Sequence, residues 1–142
     1  MNKLEFVVGQ RKVKPEQEYL DFTIDGKSLI DCLQLSYMDF VSPFGWGNNK
    51  EYEYQLLKEF RLESLSTLDS GRTMFYVCPE CGDIGCGAIT GYISKNTNGQ
   101  IEWTDFGYEN NYQGIVEKYT NFHFCFNEED YLQTIQNLRD RI

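Results

Sequence analysis

Three cysteines and three glycines fall within eleven residues, Val77-Cys78-Pro79-Glu80-Cys81-Gly82-Asp83-Ile84-Gly85-Cys86-Gly87, the stretch of the chain best equipped for chemistry. A Cys-Pro-x-Cys-Gly turn aims two sulfurs at one point, because proline fixes one dihedral and glycine lets the backbone fold beneath a tetrahedral ligand set. Cys78, Cys81 and Cys86 are therefore candidate zinc ligands, and a fourth ligand must come from elsewhere. His123 and Cys125 stand at i and i+2 of an expected strand, opposite the stripe of Phe122, Phe124 and Phe126, so either completes a site if that face meets the turn. Asp83 is a weaker local candidate, and Cys32 is too far away in sequence to place. The second Cys-x-x-Cys pair that would make the signature specific is missing.

Two other readings of the turn stay open. Cys78 and Cys86 can be small buried hydrophobes that end strands, with the glycines permitting a tight connection. Cys78-Pro79-Glu80-Cys81 has the spacing of a redox dithiol, but such motifs activate the first thiolate at a helix N-terminus, and Gly82, Gly85 and Gly87 disfavour a helix here.

Elsewhere the signals are weaker. Asp105 and Glu109 flank Phe106-Gly107-Tyr108 as a carboxylate pair would, yet a chain with 22 acids produces such pairs by chance, and solvated charges are expected. His123 is the only histidine and has no nucleophile elbow to serve. No phosphate-cradling loop or dinucleotide fingerprint occurs. Trp46, Trp103, Tyr108 and Tyr112, with Asn110 and Asn111, form either a binding face or the closure of a β core.

The elements that position these residues read as an α+β fold, mainly antiparallel sheet with one central and one C-terminal amphipathic helix. Residues 4–8 form a first strand and 9–18 a polar loop; 19–24 and 27–30 flank Asp25-Gly26 as a hairpin. A loop rich in aromatics over 39–49 precedes an amphipathic helix over 50–62 carrying Leu56, Leu57 and Phe60, and 63–71 is a polar connection. Runs at 74–78 and 88–94 flank the cysteine turn, and Asn98-Gly99 reverses the second into 100–106. Asn127 caps the last helix, whose first turn holds Glu128, Glu129 and Asp130 and whose stripe is Tyr131, Ile135, Leu138 and Ile142. Residues 1–142 read as a single domain without repeats or linkers.

The 22 acidic and 13 basic side chains give a formal charge of −9. The basic residues are scattered, which argues against nucleic-acid binding and favours basic partners. No secretion signal opens the chain and no run reaches membrane-spanning length, so a cytoplasmic protein with no membrane association is expected. In that compartment the five cysteines read as reduced thiols or metal ligands.

Ser42-Pro43-Phe44-Gly45-Trp46-Gly47, Gly71-Arg72, the segment from Tyr76 to Ala88 and Trp103-Thr104-Asp105-Phe106 together resemble a group of small bacterial proteins that share a CPECGDxGCG turn. The similarity runs from about residue 39 to the end of the chain. Within that group the length and acidity are similar to Bacillus immunity proteins that protect against a wall-associated contact-dependent toxin with a C-terminal tRNase domain. The resemblance implies a protein that binds and neutralises the cognate toxin's nuclease domain and is not itself an enzyme. In the group as it resembles this chain, Cys125 is not part of the shared pattern. The alternative from the residues alone is a small zinc-binding or thiol-dependent enzyme centred on the cysteine turn.

Overall fold

Two antiparallel sheets share one aromatic core. The structure, a computed structural model, describes residues 1–47 and 49–142; Asn48, within the loop expected over 39–49, lies outside the described residues. The first sheet has the order β1-β2-β3, built from β1 (Leu4–Arg11), β2 (Lys14–Ile24) and β3 (Lys27–Ser28). Asp25 and Gly26 join β2 to β3 with φ of 53° and 85°, the two positive values that a tight hairpin with right-handed twist demands.

The loop expected over 9–18 is instead strand. Leu4 pairs with Ile24 and the ladder continues through Gln10 and Glu18. This hairpin runs beyond the core, so residues 14–18 are exposed on both faces and the apolar alternation that reveals a strand is lost. The strand expected over 27–30 also ends early. Leu29 and Ile30 turn into a short helix, α1 (Leu29–Cys32), whose Ile30 N–H donates to the Tyr76 hydroxyl at 3.0 Å.

In the second sheet β4 (Thr73–Val77), β5 (Ala88–Lys95), β6 (Ile101–Asn110) and β7 (Gly114–Tyr119) lie in chain order. The short β8 (Phe124–Phe126) pairs with the first residues of β6, and β7 pairs with its last ones. The three strands read around the cysteine turn are therefore present, with β6 ending four residues later than expected. β7 escaped the sequence pattern because it is an edge strand exposed along its length.

Two helices cover the sheets. α2 (Lys50–Phe60) is capped by Asn49 and buries Leu56, Leu57 and Phe60; α3 (Glu128–Arg141) is capped by Asn127 and buries Tyr131, Ile135 and Leu138. Trp103 sits at the centre, fully buried, which assigns it to the core rather than to a binding face. Phe75 and Phe126 approach its ring to 4.8 Å, and Phe22, carried by the first sheet, meets it edge-on at 5.8 Å. Each such pair adds about 0.5–1.5 kcal/mol beyond its area burial, so Phe22 stitches the sheets together. The Trp103 Nε1–H donates to the Tyr131 hydroxyl at 3.2 Å, which donates to the Phe60 carbonyl at 2.7 Å, fixing α3 and the end of α2 to the same ring.

Candidate functional site

The cysteine turn connects β4 to β5 at one end of the second sheet. The Gly82 N–H donates to the Cys78 carbonyl at 2.7 Å, folding the first half back on itself. Asp83 then accepts from the Gly85 N–H at 2.7 Å and opens a single 3₁₀ turn over Ile84–Cys86, which returns Cys86 towards Cys81. The sulfurs of Cys78, Cys81 and Cys86 consequently lie within 4.8 Å of one another, close enough to hold a metal ion. Cys81 and Cys86 are joined as a disulfide and Cys78 is free, which departs from the expectation of three reduced thiols. Proximity produced by the 3₁₀ turn explains the pairing, a feature that spacing alone does not reveal.

The anchoring of the turn is specific. Gly87 has a φ of +92°, and a Cβ there would stand 2.1 Å from the Tyr108 hydroxyl, which donates to the Cys86 carbonyl at 3.2 Å. Tyr108 in turn stacks on Phe40 with ring centroids 6.2 Å apart and planes 10° from parallel.

The fourth zinc ligand read from sequence is not brought to the turn. The His123 Nε2 lies 3.3 Å from Glu102, which pairs with Cys125 near the start of β6, whereas Ala88, which follows the turn, pairs with Glu109 near its end. Seven residues of strand separate those positions, about 23 Å at the rise of an extended chain. His123 falls just outside β8 and is exposed; it and Cys125 both lie beside Glu102, on the face opposite the buried Phe124 and Phe126, but at the end of β6 away from the turn. Cys125 contacts Gln100, with its sulfur 3.2 Å from Oε1, and Cys32 lies 3.8 Å from the Lys27 carbonyl.

Beside the turn lies a small cleft of about 170 Å³, lined by Arg11, Gln17, Glu18, Tyr19, Val41, Trp46 and Pro79. Its one cation is spoken for. Arg11 donates to Asp39 at 3.0 Å, to Gln17 at 2.8 Å and to Glu80 of the cysteine turn at 3.1 Å. Two carboxylates on one guanidinium, with Glu18 at the wall, leave the cleft net negative. Trp46 is held by an indole N–H bond to the Ser42 carbonyl at 2.8 Å, and Asp21, Asp31 and Asp39 add to burial in pushing the Tyr19 phenol upward. The volume is below the 300 Å³ or so of a small-molecule pocket and suits a single side chain. A larger hollow of about 600 Å³ lies by Met1, Asn2 and the start of α3, away from these groups.

A second polar cluster was misread. Asp105 and Glu109, expected as solvated charges, flank a buried guanidinium: Arg72 is 0% exposed and Glu109 only 4%. Arg72 donates to the Thr90 hydroxyl at 2.8 Å, the Thr90 carbonyl at 3.0 Å, the Asp105 carboxylate at 2.9 Å and the Asp105 carbonyl. Glu109 accepts from Thr90 at 2.7 Å and Ser70 at 3.0 Å and lies 3.4 Å from the Arg72 Nε. Asp105 takes a φ of 56° at a bulge in β6, a conformation aspartate tolerates better than most residues, and the guanidinium grips it from both its carbonyl and its side chain. Gly107 leaves the space: a Cβ there would stand 2.7 Å from the Glu117 carbonyl and 3.2 Å from the guanidinium. With Lys118 also 3.4 Å from Asp105, two cations meet two carboxylates, so the cluster is neutral and internally satisfied. It fixes the β5–β6–β7 surface.

Three further carboxylates are buried with no sequence signal, among them Glu53 on α2, which is 1% exposed and accepts from the Gly45 N–H at 2.8 Å. Asp21 accepts from Ser28 and Tyr76, each at 2.7 Å, and burial raises its pKa. Glu59, 3% exposed on α2, accepts weakly from Thr73 at 3.4 Å, and its second oxygen has no partner among the described residues. Burial pushes its pKa up to about 7.

Among the described residues no helix is long and apolar enough to cross a membrane. No protein family, curated protein or solved structure matches this chain.

Proposed function

We propose that this chain is an immunity-type binding protein: an acidic α+β domain that acts in the cytoplasm by neutralising a basic nuclease domain, the C-terminal tRNase domain of a contact-dependent growth-inhibition toxin, without catalysis of its own. The observation that carries this reading is the cleft beside the cysteine turn, where Tyr19 and Trp46 supply aromatic walls, Glu18 a carboxylate, and Arg11 is already neutralised by Asp39 and Glu80. Such a cleft takes the end of a lysine or arginine side chain, by charge attraction and by contact with an aromatic face. A nuclease cleft built for phosphates is rich in those side chains, and a chain of charge −9 meets it quickly through electrostatic steering. Exposed Tyr37, half-buried Phe40 and Tyr108 extend the aromatic surface near the same end of the molecule.

The test is titration of the purified tRNase domain with this chain, read as complex formation and as protection of tRNA. A 1:1 complex that blocks cleavage is expected, with an association rate that falls steeply between low salt and 0.5 M salt. Glu18→Lys should weaken binding at least about tenfold, which is only about 1.4 kcal/mol, while Asp140→Lys on α3 should leave it unchanged. No complex at low salt, or equal effects of the two reversals, refutes the reading.

A second role is favoured by the sulfur cluster. In the reduced chain Cys78, Cys81 and Cys86 are placed to bind zinc as three thiolates, their mutual separations being compatible with Zn–S bonds of about 2.3 Å. The exposed thiols leave the fourth corner to water or to a partner's side chain. Protein purified under reducing conditions without chelator should then carry about one zinc per chain, and Cys81→Ser should abolish it; metal-free protein that does not take up added zinc rules the role out.

A further inference from the structure

We infer that the cysteine turn is an internal thiol–disulfide exchange site, and that exchange between its Cys81–Cys86 and Cys78–Cys81 disulfides sets the Glu80–Arg11 tether at the rim of the cleft. A free thiol and a disulfide are held together here by backbone geometry. Cys78 is the free member, and its sulfur is within 4.8 Å of both Cys81 and Cys86. The Gly82-to-Cys78 backbone bond and the 3₁₀ turn after Asp83 hold that proximity in the Cys81–Cys86 form.

The reaction needs no outside oxidant. Cys78 loses its proton to solvent, and the thiolate attacks the Cys81 sulfur. The Cys78–Cys81 bond forms as the Cys81–Cys86 bond breaks, the electron pair leaves on the Cys86 sulfur, and that thiolate takes up a proton from solvent. One disulfide and one thiol are present before and after.

The consequence lies at Glu80. In the Cys81–Cys86 isomer Glu80 precedes the bridged loop and bonds Arg11 at 3.1 Å. In the Cys78–Cys81 isomer Pro79 and Glu80 become the two residues enclosed by the new ring. Closing so short a ring changes the backbone that aims the Glu80 carboxylate, while Cys86, released, loosens the segment whose carbonyl receives the Tyr108 hydroxyl. Arg11 then keeps Asp39 and Gln17 and gives up a carboxylate, so the charge at the cleft wall changes without any change in sequence or ligand. The functional meaning of that change rests on the binding role proposed for the cleft; the exchange itself does not.

The experiment uses the full-length oxidised protein, incubated across pH 7–9, quenched in acid, alkylated and mapped by mass spectrometry. Free thiol should begin at Cys78 and redistribute to Cys86 with time. Cys78→Ser and Cys86→Ser lock the two isomers, and the Arg11 Nη–H resonances, which report the bond to Glu80, should differ between them. Thiol that stays at Cys78 at every pH, or air-treated protein in which no two of the three cysteines pair, overturns the exchange. Exchange with identical Arg11 resonances in the two locked variants overturns the tether. Neither readout uses a partner, so failure here is distinct from failure of the tRNase domain to bind.

Discussion

Replacing Glu59 by glutamine isolates the most exposed weakness of the fold to pH. Glu59 is buried against Thr73, with one oxygen unpartnered among the described residues, and its pKa stands at about 7 against an ordinary value of 4.5. A raised carboxyl pKa means that the folded state holds a proton the unfolded state has released. Stability from this group is therefore complete below pH 4.5 and falls by about 1.4 kcal/mol per pH unit as pH rises towards 7, after which both states are ionised and the loss is constant. The full loss is about 3 kcal/mol, a large share of the 5–15 kcal/mol typical of a domain. Glutamine keeps an acceptor for Thr73 and removes the charge, so its absolute stability depends on how its amide hydrogens are accommodated, but its pH slope does not. Urea unfolding at intervals from pH 4 to 8 should show the parent losing about 3 kcal/mol relative to Glu59→Gln. Asp21, whose pKa is also raised by burial, contributes equally to both proteins and cancels in the difference. Parallel stability curves for the two proteins would refute the reasoning.

Arg72→Lys should destabilise by about 3–5 kcal/mol, because one ammonium cannot span Thr90, Asp105 and Glu109 and leaves buried carboxylate unpaired; urea unfolding measures it. Gly87→Ala places a methyl on the Tyr108 hydroxyl and strains a φ of +92°, so it should cost about 1–3 kcal/mol and alter the near-UV signal of the tyrosines. Asn127→Ala removes the acceptor for the Asp130 N–H at the start of α3 and should cost about 1 kcal/mol, read as a lower melting temperature.

Much of the architecture was legible. The Asp25-Gly26 hairpin, the strands on either side of the cysteine turn and both amphipathic helices announce themselves through turn chemistry, periodicity and caps. What stayed hidden had no apolar pattern to show. The outer half of β2 and all of β7 are strands by backbone pairing alone, since their side chains face solvent. The convergence of Cys78, Cys81 and Cys86 was readable from spacing, whereas the disulfide depended on a 3₁₀ turn, and the fate of His123 depended on which end of β6 its neighbours joined. Asp105 and Glu109 were misjudged because a carboxylate's burial is decided by its partner, and Arg72 lies more than thirty residues upstream of both.

That partnership bears on function through what it removes. Arginine is the side chain best suited to gripping phosphate, since its planar fork pairs with two oxygens at once. Arg11 and Arg72 spend their forks inside the fold, one on Asp39 and Glu80, the other on Thr90 and Asp105, so neither is free to meet a nucleic-acid backbone. Arg61 is likewise paired with Glu63 at 3.1 Å. Meanwhile Glu5, Glu16, Glu18, Asp31, Glu51 and Asp69 remain exposed. The other two arginines are exposed on α3, Arg139 over the Tyr54 ring and Arg141 donating to the Phe6 carbonyl, so guanidinium forks are few beside the exposed carboxylates. That charge balance is consistent with the nuclease partner proposed above, and the Glu18→Lys titration asks whether the contacts lie at the cleft where Arg11 is already paired.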